Sequence, residues 1–247
     1  MIKQTLQLTA ACMLVMLHNT QAQSCTFGID GGLNRSTQLF FDPQHPKDGT
    51  TQLNGYTGWH AGVFATADHL FRNKVLDFFT YRARLSYFKK GAVQPAQISD
   101  PFYPVAANGI SQIPKVDDVR IKNTLDYISL DLTFQKHLLH FGHTSSLYLE
   151  AGLGNNVLVR SDIKAGAIDP VRFSPPYNEY NDGRLRRYNL TWIAGAGINL
   201  ENKYSIYAQC NKGITAVYHS NTLRVRDWSW TIGAGITIGS AKTSLKS

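Results

Sequence analysis

Chemistry is the first thing to look for, and three side chains have the right types for it: His60, Ser86 and Asp131 could serve as base, nucleophile and acid of an acyl hydrolase or transferase. No spacing rule links them, and such catalysis needs mutual hydrogen bonds that a sequence cannot show. His137, His140 and His143 have the spacing of metal ligands. They lack a supporting cysteine or acid, so the expectation is solvated turn histidines with no metal. Gly152-Leu153-Gly154 and Gly195-Ala196-Gly197 resemble phosphate-binding loops, yet neither opens a helix. Glycines inside strands more often mark bends or make room for large neighbours. Asn34-Arg35-Ser36 and Asn189-Leu190-Thr191 match glycosylation acceptors and are assigned no role. No cofactor is expected.

The elements that must hold these residues have a period of two. In Tyr127 to Gln135 the odd positions Tyr127, Ser129, Asp131, Thr133 and Gln135 are polar, while Ile128, Leu130, Leu132 and Phe134 are apolar. Successive side chains of a strand point to opposite faces, so one face suits lipid and the other water. Trp228 to Ile238 repeats the pattern, as do Leu147 to Leu153 and Tyr188 to Ile198. A helix would scramble both faces. Weaker segments run from Thr26 to Asn34, Thr57 to Ala67, Val75 to Phe88 and Tyr204 to Tyr218, eight in all.

The connections alternate in length. Long ones are expected at Phe40 to Gly55, Gly91 to Leu125, Ser161 to Arg186 and His219 to Asp227. Shorter ones are expected at Arg72-Asn73-Lys74, Leu138 to Ser145 and Glu201-Asn202-Lys203. Outer-membrane barrels have this asymmetry, with short periplasmic turns and long external loops. The expected fold is an all-β, transmembrane, eight-stranded antiparallel up-and-down β-barrel of OmpA/OmpX size, closed so that no edge is exposed.

The N-terminus has the layout of a cleaved export signal: Lys3, an apolar stretch from Leu6 to Leu17, then Thr20-Gln21-Ala22. Residues 1–22 are therefore expected to leave, and 23–247 to form one outer-membrane barrel domain. The apolar stretch falls short of the roughly 20 residues of a membrane-spanning helix, and no later window offers one. Net charge is +8 over the whole chain, one less without Lys3, and is scattered through loops, which gives nucleic-acid binding little support. Cys25 and Cys210 remain after Cys12 leaves. Cys25 opens the first strand and Cys210 faces lipid on the seventh with the last strand between them, which argues against a disulfide. A lipidated Cys25 fits poorly with Ala22 and Gln23 before it.

The order of several short motifs resembles the PorT-like outer-membrane β-barrel family of Bacteroidetes. They are Gly28-Ile29-Asp30-Gly31-Gly32-Leu33-Asn34, Gly58-Trp59-His60-Ala61-Gly62 and Leu85-Ser86-Tyr87-Phe88-Lys89-Lys90-Gly91, followed by Tyr127-Ile128-Ser129-Leu130, Tyr148-Leu149-Glu150-Ala151-Gly152 and Ala194-Gly195-Ala196-Gly197. The resemblance covers nearly all of the chain after the leader. It implies an eight-stranded barrel, no defined activity for most members, and for a PorT protein a role in secretion across the outer membrane. Such barrels often end on an aromatic residue, whereas here the last strand is followed by Ser240 to Ser247.

Alternation would gather Asp30, Arg82, Arg84, Asp131 and Glu150 in the lumen, with Tyr127, Asn189 and Gln209 beside them. Eight strands leave an interior only wide enough for side chains, so these charges must pair, and the expectation is a salt-bridge plug without a solute pore. Trp59, Tyr87 and Trp228 fall where strands meet long loops, as in an aromatic belt at the outer interface; packing in a soluble core is the other reading. Asp100-Pro101-Phe102-Tyr103-Pro104 and Phe173-Ser174-Pro175-Pro176-Tyr177 suit docking to a protein or glycan, or packing over the barrel mouth. The leading expectation is a non-enzymatic barrel in contact with outer-membrane lipid, acting through its loops or within an envelope or secretion complex. The alternatives are the acyl hydrolase or transferase and a soluble secreted barrel that binds a small apolar ligand.

Overall fold

The computed structural model describes residues 24–41, 50–68, 78–97, 118–142, 144–166, 186–219 and 224–241. The expected leader, the turn at 72–74, His143, both Pro-aromatic stretches and the last six residues lie outside them. The elements are β1 (Ser24–Phe41), β2 (Thr50–Gln52), β3 (Asn54–Asp68), β4 (Thr80–Gln97), β5 (Asp118–Phe141), β6 (Ser145–Gly166), β7 (Tyr188–Leu200), β8 (Tyr204–Gly213), β9 (Tyr218–His219) and β10 (Arg224–Ala241). Each long strand pairs antiparallel with the next, and β10 pairs back onto β1 from Cys25 opposite Ala241 to Phe41 opposite Arg224. Eight strands thus close a barrel; β2 and β9 are short additions beside β1 and β10 at one end.

The period-two pattern forms strands because it lets each face meet a different medium, and here the faces are inverted relative to a soluble barrel. Leu33, Ile232 and Ile238 are 64%, 68% and 71% exposed on the outside, while Arg84 and Thr231 retain 2% and 1% inside. The same alternation runs along β8, where Ser205, Tyr207, Gln209 and Asn211 are buried.

At one end the links are tight. Gly142 turns β5 into β6 with φ 65°, in the left-handed region where glycine is unstrained. Glu201 and Asn202 take similar angles between β7 and β8, and the Asn202 amide N–H is held by the Thr144 carbonyl at 2.9 Å. At the other end the strands run further than alternation alone indicates. β4 continues to Gln97, β5 begins at Asp118, β6 reaches Gly166 and β10 begins at Arg224, so all four long connections are shorter than expected. At the tight end β5 runs unbroken to Phe141, which reduces the Leu138 to Ser145 connection to a turn and puts His137 and His140 on a strand. β8 ends at Gly213 rather than Tyr218. The physical reason is that ladder pairing is a backbone property and continues where the side-chain types no longer alternate. At roughly 3.3 Å per residue β5 is roughly 80 Å long, far more than a tilted strand needs to cross a core about 30 Å thick.

Inside, small residues face large ones. A Cβ added to Gly233 would sit 2.6 Å from Cζ of Tyr207, and one on Gly195 would sit 2.9 Å from Cγ of Gln209. Gly239 has nothing within 4 Å of such an atom. Gly233→Val is expected to destabilise the barrel by about 1–3 kcal/mol through overpacking. Gly239→Ala should stay within about 0.5 kcal/mol of the parent. Urea titration of the folded protein in lipid vesicles, followed by gel mobility, measures both.

Candidate functional site

β1, β4, β5, β6 and β8 direct their inward positions at one level of the lumen, and charge collects there. Arg82 Nη2 donates to Asp30 Oδ2 at 3.0 Å. Arg84 reaches Asp131 Oδ2 twice, from Nε at 3.0 Å and from Nη2 at 2.7 Å, and also reaches Gln209 Oε1 at 2.7 Å and Asp30 Oδ2 at 3.5 Å. Ser129 Oγ donates to the other oxygen of Asp131 at 2.5 Å. Gln135 and Gln209 both donate to Glu150. All these side chains are buried. The Arg82 guanidinium also lies 4.2 Å from the Phe64 ring centre, so apolar surface and carboxylates share the desolvated cations.

Two residues absent from the expected network brace it. Tyr207 on β8 donates its hydroxyl to Asp30 Oδ2 at 3.1 Å, and His60 Nε2 lies 2.7 Å from the same hydroxyl. Since the phenol hydrogen goes to Asp30, the imidazole Nε2–H is the donor to the phenol oxygen. Inward parity along β8 was the available signal for Tyr207. It was weak because Tyr204 and Ile206, the apolar half of the pattern, are followed by Ala208 and Cys210 rather than by large residues.

Further toward the long-connection end an apolar cluster fills the lumen around the buried Lys90, whose Nζ lies 4.9 Å from the Phe88 ring centre. Phe88, Leu125, Tyr127 and Val217 form a buried cluster, with Leu158 packed against it. Val217 belongs to the connection after β8. Its N–H donates to the Val225 carbonyl and its carbonyl accepts from the Arg186 N–H, both at 2.8 Å, which folds that connection into the mouth. Tyr127 OH and Asn189 Nδ2 both donate to Asp227 Oδ2, at 3.3 and 3.2 Å. Tyr127 and Asn189 thus lie in this upper layer, apart from the arginine network. Among the described residues the arrangement holds most of its buried charge in direct ion pairs and hydrogen bonds.

His60, Ser86 and Asp131 all point into the lumen without forming a catalytic set. His60 Nε2 is committed to Tyr207, Asp131 to Arg84 and Ser129, and Ser86 Oγ has no hydrogen-bond partner. His137 bonds Ser146 Oγ through Nδ1 at 2.8 Å and Thr80 Oγ1 through Nε2 at 3.4 Å. On the outside, Trp59 is 46% exposed with its ring centre 5.2 Å from that of Tyr87. Trp228 donates Nε1–H to Cys210 Sγ at 3.0 Å. Cys25 and Cys210 are free thiols, with β10 between their strands.

No family model matches the chain. No curated protein matches it either. Among solved structures it is similar to outer membrane protein OprG from Pseudomonas aeruginosa, with 12% identity, 91% of this chain and 99% of that one covered, and a TM-score of 0.40. It is similar to Ail, the attachment invasion locus protein of Yersinia pestis, at 11% identity over 88% and 100% of the two chains with a TM-score of 0.37. The outer membrane enzyme PagL aligns at 10% identity over 83% and 99%, with a TM-score of 0.33. At these scores the likeness carries no argument; the barrel rests on its own strand register.

Arg84→Met is expected to cost about 3–5 kcal/mol, because it strands Asp131 in a desolvated lumen. Replacing Asp131 by Leu in the same chain should recover most of that loss, since the orphaned charge then disappears. Urea midpoints of the single and double variants in vesicles measure the difference.

Proposed function

We propose that this protein is a non-enzymatic barrel of a bacterial outer membrane, closed to solutes, that works through its long-loop end or as a component of an envelope or secretion complex. The observation that carries this reading is the inverted barrel: an apolar exterior around a lumen filled by paired charge. A soluble barrel would bury its apolar face inward, so that alternative predicts the opposite exposure. An acyl hydrolase or transferase needs Ser, His and acid joined near the rim, whereas His60 is engaged by Tyr207, Asp131 by Arg84, and Ser86 Oγ bonds neither. The secretion role is the finer part of the proposal and rests on the order of short motifs that resembles the PorT-like family. The leader at 1–22 belongs to the same proposal, because a barrel of this kind must be exported.

The expressed protein should fractionate with the outer membrane, begin at Gln23, and migrate differently on a gel before and after boiling in mild detergent. In planar bilayers it should give no steady open-channel current, whereas a well-resolved conductance would show that the lumen opens. Recovery as a detergent-free soluble protein would overturn the membrane reading.

A further inference from the structure

The outside of the barrel is not uniform around its circumference, and one wall carries an arrangement that the lumen has no use for. On β8 the outward positions run Tyr204, Ile206, Ala208, Cys210, Lys212, so a cation follows four residues suited to lipid contact. Lys212 stands opposite Trp192 of β7 and opposite Trp228 of β10. Directly opposed side chains on paired strands lie within about 4.5–5.5 Å at Cβ, so Lys212 has an indole on each side. In the adjacent row Cys210 stands opposite Ala194 and Trp230, and Trp230 stands opposite Arg35 of β1. Trp230 is 57% exposed, its ring centre is 6.3 Å from that of Trp228, and Arg35 is exposed. Arg226 follows one outward position further along β10 and is exposed as well.

Toward mid-barrel the outward neighbours are Leu33, Ile232, Ala208, Ala196 and Ile206; the next rows hold the three tryptophans with Arg35 and Lys212 in register among them, and Arg226 lies one outward position beyond. Among the described residues of β1, β7, β8 and β10 the only acids are Asp30 and Asp227, and both are buried inside. The cations of this wall therefore have no carboxylate on their own face among the described residues of these four strands. The opposite wall differs, since Lys89 and Arg160 both stand in register with Asp126.

We infer that the Trp192–Lys212–Trp228 row, with Trp230 and Arg35 beside it, binds the phosphorylated headgroup of a lipid in the leaflet at the long-loop end. This rests on the outer-membrane reading above. Three features fit that ligand chemistry together. The indoles lie at the level where apolar contact gives way to polar headgroups. The lysine and arginine stems run along apolar surface and deliver their charge to the headgroup layer. The uncompensated positive charge is complementary to phosphate and leaves a zwitterionic or neutral headgroup without an equal partner. Arg35 and Lys212 are two strands and one row apart, roughly 12 Å at the backbone, and the Arg35 stem leans against Gly55 of β3, so the two cations reach separate phosphates of one headgroup. The Trp228–Cys210 hydrogen bond fixes one indole against the strand, so part of the site is ordered before lipid arrives.

The test is native mass spectrometry of the protein released from phosphatidylcholine vesicles doped with diphosphoryl lipid A or with its dephosphorylated form. The parent protein should retain the phosphorylated lipid in preference to the other. Arg35→Gln and Lys212→Gln should each weaken that retention about fivefold, and the double variant by roughly the product. Arg35→Lys with Lys212→Arg should keep it, as should Lys203→Gln in the turn at the opposite end. Heat-dependent gel mobility confirms that each variant is folded. Insertion into both kinds of vesicle without preference, or a double variant that retains lipid like the parent, overturns the headgroup site alone. Failure of the parent protein to insert into either vesicle overturns the membrane reading and this site with it.

Discussion

The register that joins β10 back to β1 is the constraint on which the rest depends. A sheet crossing an apolar medium cannot leave edge N–H and C=O groups unpaired, because no water is there to receive them. Closing the sheet after eight strands satisfies the backbone and at the same time fixes the interior at little more than side-chain width. Every inward residue then has to be small enough to make room or large enough to fill it. Tyr207 opposite Gly233 and Gln209 beside Gly195 are that division in practice.

Narrowness also decides the electrostatics. Arg82 and Arg84 could not be held at such depth alone, and each is met by carboxylate and by an aromatic face. The carboxylates in turn are held by Ser129, Tyr207 and two glutamines, so the network has few spare charges with which to bind anything else. Above it, the Phe88, Leu125, Tyr127 and Val217 layer adds apolar contact around the buried Lys90 and Asp227. The two layers are different solutions to the same problem of filling a tube.

Strand existence and membrane orientation were legible in the sequence because both follow from one period. Tyr127 to Gln135 and Trp228 to Ile238 state it without ambiguity, and their partners in the sheet could be placed by elimination. Strand ends were not legible. Between 91 and 97, 118 and 125, and 158 and 166 the residue types lose their alternation while the ladder pairing continues. The lumen network was legible only as a list of inward charges. Which arginine meets which carboxylate depends on stagger between strands, and a bulge such as that at Phe27/Gly28 shifts a whole row without leaving a mark in composition. His60 and Ser86 show the complementary error: their types suggested chemistry, while their geometry gives one a brace for Tyr207 and the other a buried hydroxyl.

Both walls of the exterior carry partly or fully exposed aromatic rings, Trp59 and Tyr87 on one and Trp192, Trp228 and Trp230 on the other, and differ in the charges beside them. On the β4 to β6 side Asp126 lies among Lys89 and Arg160 and hydrogen-bonds Tyr87, so that charge is settled within the protein. On the β7 to β1 side nothing in the described strands settles it. A strand could satisfy the apolar layer with alanine or leucine at position 212 as readily as with lysine, and burial of the neighbouring indoles does not need the charge. Lys212 is half-buried between the two indoles, and no carboxylate of the described β1, β7, β8 and β10 faces it; that imbalance is the feature on which the proposed headgroup contact rests.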